Sequence, residues 1–250
     1  MIQRALITGA SSGIGFSYAN HLKNEGWHLD LVSENKERLK KSKDNLKYEN
    51  ASFHSADLSK NESIKYIVNN FQTPDLIVAN AGVAINGAIG QLGEKEKNDA
   101  YYLMCGGVID LIEGFVPKMI SNGGGRIVII SSIGAITAMP KSSIYSSIKS
   151  GIHAYGKSIS AELKNKNISV TISMPGYVKT AAHKRAGLDH LEKKIPSWMW
   201  VNANEVVKET EKASKNGKTE IIPGKVYKFT KPFLKFNSAI NIWQSITKRN

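Results

Sequence analysis

The chain has 250 residues, 41% hydrophobic and 22% charged, and its 34 Lys and Arg against 21 Asp and Glu give a formal net charge of +13. That apolar content excludes a mostly disordered chain, the length suits one large α/β domain, and no apolar run reaches the ~18 residues of a membrane span. The single Cys105 excludes an intramolecular disulfide framework and suits a reducing cytosol. The start, Met1-Ile2-Gln3-Arg4, runs straight into a strand-like segment, so no secretory signal and a cytoplasmic location are expected.

In chain order, Arg4–Thr8, His28–Ser33, Ala51–His54, Asp75–Ala79, Arg126–Ser131, Ile168–Ser173 and Thr219–Ile222 read as seven buried strands. Between them run helical patterns over Gly13–Gly26, Asn35–Lys47, Lys60–Phe71, Lys95–Ile120, Lys141–Lys164 and Asn202–Lys215. Strands alternating with helices need crossover connections, which predicts a parallel sheet covered on both faces. The expected fold is a single doubly wound, Rossmann-type α/β domain over residues 1–224 with a seven-stranded parallel sheet. Ligands of such sheets bind beyond the carboxyl ends of the strands, so motifs directly after strands carry the functional reading.

The first strand leads into Thr8-Gly9-Ala10-Ser11-Ser12-Gly13-Ile14-Gly15. Gly9 can make the tight turn, Gly13 can admit a pyrophosphate to the backbone, and Gly15 can let the helix pack close to the sheet. The amides of Ser11 to Ile14 open a helix N-terminus suited to an anion. No Gly-Lys-Ser/Thr ending follows, which disfavours a nucleoside-triphosphate loop. Further along, Tyr145-Ser146-Ser147-Ile148-Lys149 sets a phenol and an ammonium four residues apart on one helix face, and Ser132 closes the fifth strand. A nearby Lys cation can lower a phenol from about 10 toward a useful range, which suits proton exchange with a carbonyl or alcohol oxygen. Tyr227 and Lys231 repeat the spacing, but this copy follows Pro223-Gly224 and precedes Pro232, which excludes it.

These motifs together resemble the classical short-chain dehydrogenase/reductase family over residues 2–224. Asp57-Leu58 after the third strand matches the family's adenine-contacting pair, and Asn80-Ala81-Gly82 after the fourth its Asn-Ala-Gly motif. Pro175-Gly176-Tyr177-Val178-Lys179-Thr180 matches the Pro-Gly-x-Val-x-Thr segment near the nicotinamide, which brings Pro175, Gly176, Val178 and Thr180 into the cofactor site. The resemblance implies an NAD(P)-dependent oxidoreductase interconverting a secondary alcohol and a ketone. Ser132, Tyr145 and Lys149 would carry the chemistry, with Lys149 also on the nicotinamide ribose. It also implies a homodimer or homotetramer. One departure stands out: counting back from Pro117-Lys118-Met119, the family's Asn on the fourth helix falls on Met104, with Gly107 at the expected Gly. Either the proton relay runs through another group, or activity is low, or a gap displaces the count. The rival reading is therefore a dinucleotide-binding scaffold or sensor with weak or no catalysis.

Glu34, just past the second strand, would repel a 2′-phosphate and favours NAD over NADP, although Lys36 or Arg38 nearby is available to a phosphate. Residues 181–201 form the expected substrate lid, where Leu188, Leu191, Ile195, Trp198, Met199 and Trp200 suit either a lipophilic carbonyl substrate or simple packing. His183 and His190 have no companion at metal-ligand spacing, so no metal is expected. Residues 221–250 hold six basic residues and no acid, so nearly half of the net charge sits there. For residues 225–250, self-docking, subunit contact and a peripheral hold on an anionic membrane all remain open, while no nucleic-acid motif is present.

Overall fold

Runs such as Ala5-Leu6-Ile7 and Leu29-Asp30-Leu31-Val32 bury successive residues on opposite faces, which a strand can do only inside a three-layer structure. The computed structural model describes residues 2–85, 87–137, 141–180 and 195–230. Strands β1 (Arg4–Thr8), β2 (His28–Ser33), β3 (Ala51–Ser55), β4 (Leu76–Ala79), β5 (Gly125–Ile130) and β6 (Ile168–Ser173) lie within a residue or so of the expected bounds. Two three-residue strands, β7 (Tyr177–Lys179) and β8 (Trp200–Asn202), pair in parallel as a separate ribbon, and β9 (Glu220–Ile221) follows. The main sheet has seven strands in the order β3-β2-β1-β4-β5-β6-β9, all parallel.

Helices α1 (Gly13–Asn24), α2 (Lys36–Leu46), α3 (Asn61–Asn70), α4 (Glu94–Tyr101), α5 (Gly107–Ser121), α6 (Ser143–Glu162), α7 (Ala203–Lys215) and α8 (Lys225–Thr230) are present among the described residues. On one face of the sheet, Leu6, Ile77, Ile127 and Ile129 pack against Ile67, Leu111, Phe115, Ile152 and Ile159 of α3, α5 and α6. On the other face, Ile7, Leu31, Val78 and Val128 meet Tyr18 and Leu22 of α1 and Val207 of α7. Each such side chain, fully buried, contributes about 1.5–3 kcal/mol relative to exposure. Glu211 stitches the second layer, accepting from the Tyr18 hydroxyl at 2.7 Å and pairing with Arg126 at 2.7 Å.

The pattern over Lys95–Ile120 reads as one helix, and the structure divides it. Between α4 and α5, Tyr102–Gly106 forms a wider turn in which the Gly107 amide bonds the Tyr102 carbonyl five residues back. A Cβ on Gly107 would sit 3.0 Å from the Tyr102 oxygen and 3.1 Å from the Leu58 oxygen, so residue 107 packs tightly in this turn and a side chain there would need its neighbours to give. Such single wide turns re-aim a helix locally. Here the turn brings Met104, 2% exposed, against Gly82 and the cleft described below.

The expected domain boundary after Gly224 precedes a helix that is anchored to the domain. Tyr227 of α8 is fully buried; its hydroxyl donates to the Met199 carbonyl at 2.7 Å and accepts from the Tyr177 amide at 3.1 Å. A Cβ on Gly176 would collide with the Tyr227 ring. No described helix is long and apolar enough to cross a membrane. Leu188, Leu191, His183, His190 and residues 231–250 lie outside the described residues.

Candidate active site

In an open parallel sheet the crevice forms where the strand order reverses, here between β1 and β4. A cleft of about 500 Å³ opens there, beyond the carboxyl ends of the strands. Its floor is the turn from β1 into α1. Gly9 has φ +64°, and a Cβ on it would come within 2.8 Å of Asn80 Nδ2 and 2.9 Å of Ala81 Cα. Gly13 has φ +59°, and its missing side chain leaves room against Thr180 Cγ2. Gly15 lies beneath the cleft rather than on its wall; a Cβ there would strike the Gly9 carbonyl and lie 2.6 Å from Asn80 Nδ2. The glycines therefore leave open a backbone cradle at the N-terminus of α1, where the helix dipole favours an anion.

The Asn-Ala-Gly segment holds this turn in place. Thr8 Oγ1 accepts from the Asn80 amide at 2.9 Å and the Ala81 amide at 3.0 Å, while Asn80 Nδ2 donates to the Thr8 carbonyl at 2.9 Å. Ser11, Ser12, Gly13 and Ile14 line the cleft from the turn, and Glu34 lines it from the end of β2. Asp57 and Leu58 line it after β3, Asn80 to Gly82 after β4, and Pro175, Gly176, Val178 and Thr180 after β6. The Pro175 carbonyl accepts from the Ile133 amide at 3.1 Å, tying the segment after β6 to the one after β5.

Ser132, Tyr145 and Lys149 all line the same cleft. Helix α6 is pinned to the end of β5 by Ser131 Oγ donating to the Lys149 carbonyl at 3.1 Å and Ser150 Oγ donating to Ala135 at 2.8 Å. Ser132 Oγ accepts from the Gly134 amide at 3.1 Å and is hydrogen-bonded to the Tyr145 side chain. Lys149 is 6% exposed; its Nζ donates to the Ile130 carbonyl at 3.0 Å and stands 5.9 Å from the centre of the Tyr145 ring. Burial pushes the Tyr145 phenol above its usual value, against the lowering effect of the Ser132 hydrogen bond. Burial lowers Lys149 to about 8, against a smaller opposing influence from Cys105. Two groups whose proton affinities are shifted by burial thus share one cleft, a combination typical of functional sites.

Several lining residues carried no motif: Ser33, Ser142, Ile85, Leu103, Ile133 and Tyr177. Tyr177 was legible only as the variable position of the Pro-Gly segment; it packs its ring 5.6 Å from Trp200. Arg38, read beforehand as available to a phosphate, also reaches the cleft. Among the described residues, no group of three or more His, Cys, Asp or Glu side chains is placed to hold a metal.

A parallel sheet with a glycine cradle at its switch point and a Ser-Tyr-Lys cluster beside it defines a dinucleotide-linked oxidoreductase. The chain belongs to the short chain dehydrogenase family, whose model matches residues 3–190. It is 31% identical over 183 residues to the 3-oxoacyl acyl-carrier-protein reductase FabG of Chlamydia trachomatis serovar D, covering 70% of this chain and 74% of that protein. It is 32% identical over 189 residues to dehydrogenase/reductase SDR family member 7B of Xenopus laevis, covering 70% of this chain and 58% of that one. Among solved structures, it is similar to a short-chain dehydrogenase from Sphingobium yanoikuyae in complex with NADPH, with a TM-score of 0.80, 24% identity and coverage of 99% and 94%. The L-sorbose reductase from Gluconobacter frateurii, complexed with NADPH and L-sorbose, gives a TM-score of 0.76 at 25% identity, covering 89% of this chain and 96% of that one. The chain is thus an NAD(P)-dependent oxidoreductase of this family.

Proposed function

We propose that this chain interconverts a secondary alcohol and a ketone, with Tyr145 as the acid/base. The convergence of Tyr145, Ser132 and Lys149 on one wall of the cleft carries the reading. Bound cofactor supplies or accepts the hydride. Tyr145, whose burial keeps it protonated at neutral pH, gives its proton to the substrate oxygen during reduction and recovers it during oxidation. Ser132, already bonded to that phenol, holds the same oxygen in line. Lys149 binds the nicotinamide ribose, and its positive charge beside the phenol favours the phenolate whenever Tyr145 gives up its proton.

The glycine cradle, Asp57-Leu58 and the Pro175–Thr180 segment are the proposed cofactor contacts. The wall formed by Ile85, Leu103, Met104 and Ile133 favours a lipophilic carbonyl compound. The reductase names among the relatives and the NADPH-bound neighbours support the same chemistry. Buried Met104, at the position where the family's relay Asn is expected, supports the rival reading of a dinucleotide-binding scaffold or sensor. A homodimer or homotetramer, a lid over residues 181–201 and a membrane hold through residues 225–250 belong to the same proposal. A nicotinamide-absorbance screen over acyl, steroid, sugar and aromatic ketones with both cofactors tests it. Turnover of one class is expected; complete inactivity beside tight cofactor binding would favour the scaffold.

A further inference from the structure

The wide turn at Tyr102–Gly106 sets an apolar side chain behind the phenol that carries the proton. Tyr102 ties this turn to its neighbours: its hydroxyl donates to Asp110 of α5 at 2.6 Å and accepts from Asn61 of α3 at 2.7 Å. Met104, two residues on, stands on the cleft wall with its Sδ 3.2 Å from where a Cβ on Gly82 would lie. It belongs to a small buried cluster with Ile85, Ala100 and Ile148, against which Leu103, Ile144 and Tyr145 pack. Hydrocarbon from the segment after β4, from the turn and from the start of α6 thus meets at Tyr145.

What faces the phenol decides how readily it ionises, because a phenolate needs water or donors and a neutral phenol does not. From the end of β5 come Ser132, bonded to Tyr145, and the Ile130 carbonyl, which holds Lys149 Nζ at 3.0 Å. Lys149 of α6 and Cys105 of the turn are the ionisable groups nearby, and each acts on the other. Residues 82–85 after β4 carry no ionisable side chain, and Tyr177 after β6 lines the same cleft. Glu34, Arg38 and Asp57 line it only on the side of β2 and β3. Around Tyr145, burial outweighs the one hydroxyl bonded to it.

We propose that Met104 is a positioning residue that fixes the working direction: by closing the back of the cleft it keeps water from Tyr145, so that this chain reduces ketones at neutral pH and oxidises alcohols only in alkaline solution. The inference rests on the reaction proposed above. One ketone, one hydride from the reduced cofactor and the Tyr145 proton give one alcohol, and the phenolate left behind recovers its proton from water at the cleft mouth. Alcohol oxidation needs that phenolate at the outset, and the apolar wall makes it scarce at neutral pH.

Tyrosinate absorbance reads the phenol directly in the cofactor-free full chain, as wild type minus Tyr145→Phe and as Met104→Asn minus its Tyr145→Phe double variant. Circular dichroism confirms the fold at each pH. The wild-type midpoint is expected above the ordinary phenol range, and Met104→Asn, which brings a polar group and water, should lower it by about one pH unit or more. Met104→Leu keeps the hydrocarbon and should leave the midpoint in place. With an alcohol matched to a ketone from the screen, wild-type kcat/KM for oxidation should climb about tenfold per pH unit from about pH 7 to pH 9. In Met104→Asn it should be about tenfold higher at each pH below the midpoint. A wild-type midpoint at or below the ordinary phenol range, or oxidation already level at neutral pH, overturns the proposal even if Met104→Asn does not fold. An unmoved midpoint in Met104→Asn, or an equal fall in Met104→Leu, overturns it too. Midpoints that behave as expected in a protein that turns over no ketone defeat the reaction proposed above, and the working direction with it.

Discussion

Replacing Lys149 by Met should make the cofactor-free protein more stable while removing its turnover. Lys149 is buried, and burial lowers it from 10.5 to about 8. That change corresponds to roughly 3 kcal/mol by which the charged ammonium destabilises the folded state at neutral pH. Met has nearly the same length and carries no such cost. The Ile130 carbonyl, which accepts from Lys149 Nζ at 3.0 Å, loses its donor. This removes about 1 kcal/mol, so a net gain of about 2 kcal/mol is expected at pH 7. The pH dependence follows from the sign. Below about 8 both folded and unfolded Lys149 are charged, and the folded state bears the whole penalty. Between about 8 and 10.5 the folded group is already neutral while the unfolded one still binds its proton, so the penalty fades as pH rises. Urea unfolding of both proteins at pH 7 and near pH 10 measures the gap at each pH. A Met variant less stable than wild type at pH 7, or a gap that does not shrink with pH, would refute the reasoning.

Other outcomes follow from the same geometry. Gly15→Ala places a Cβ against the Gly9 carbonyl and Asn80 Nδ2. It should cost about 1–3 kcal/mol by overpacking and weaken dinucleotide binding, read by thermal shift with and without cofactor. Tyr227→Phe deletes the hydroxyl that joins Met199 and the Tyr177 amide. It should destabilise by about 1–3 kcal/mol in urea, because both groups lose a buried partner.

The sheet was readable because both faces of each strand are covered, which turns strands into apolar runs that survive without any alignment. Segment ends such as Thr8–Gly9 and Asn80–Gly82 were readable for the same reason: they sit where those runs stop. The break at Tyr102–Gly106 was not, since Tyr102, Leu103 and Met104 continue an apolar pattern and no proline marks the turn. The β7–β8 ribbon is too short, at three residues a strand, to leave a period. Tyr227 was not singled out as buried: the basic, aromatic composition of its segment left self-docking, subunit contact and a membrane hold open, and the ring is buried between Gly176 and Met199. Within the site, Tyr145, Lys149 and Ser132 carried motif spacing. Arg38 carried only its charge, and no spacing announces its place on the cleft wall.

The central claim is that Tyr145 moves the proton in a nicotinamide-dependent carbonyl reduction. It is tested most directly by comparing wild type and Tyr145→Phe for oxidation of the reduced cofactor, NADH or NADPH, on a substrate found by the ketone screen, with cofactor affinity measured in parallel. The variant should retain cofactor affinity within a few-fold and lose turnover by about 10²–10⁴-fold or more, the range of a lost general acid. Undiminished turnover in Tyr145→Phe would contradict the account.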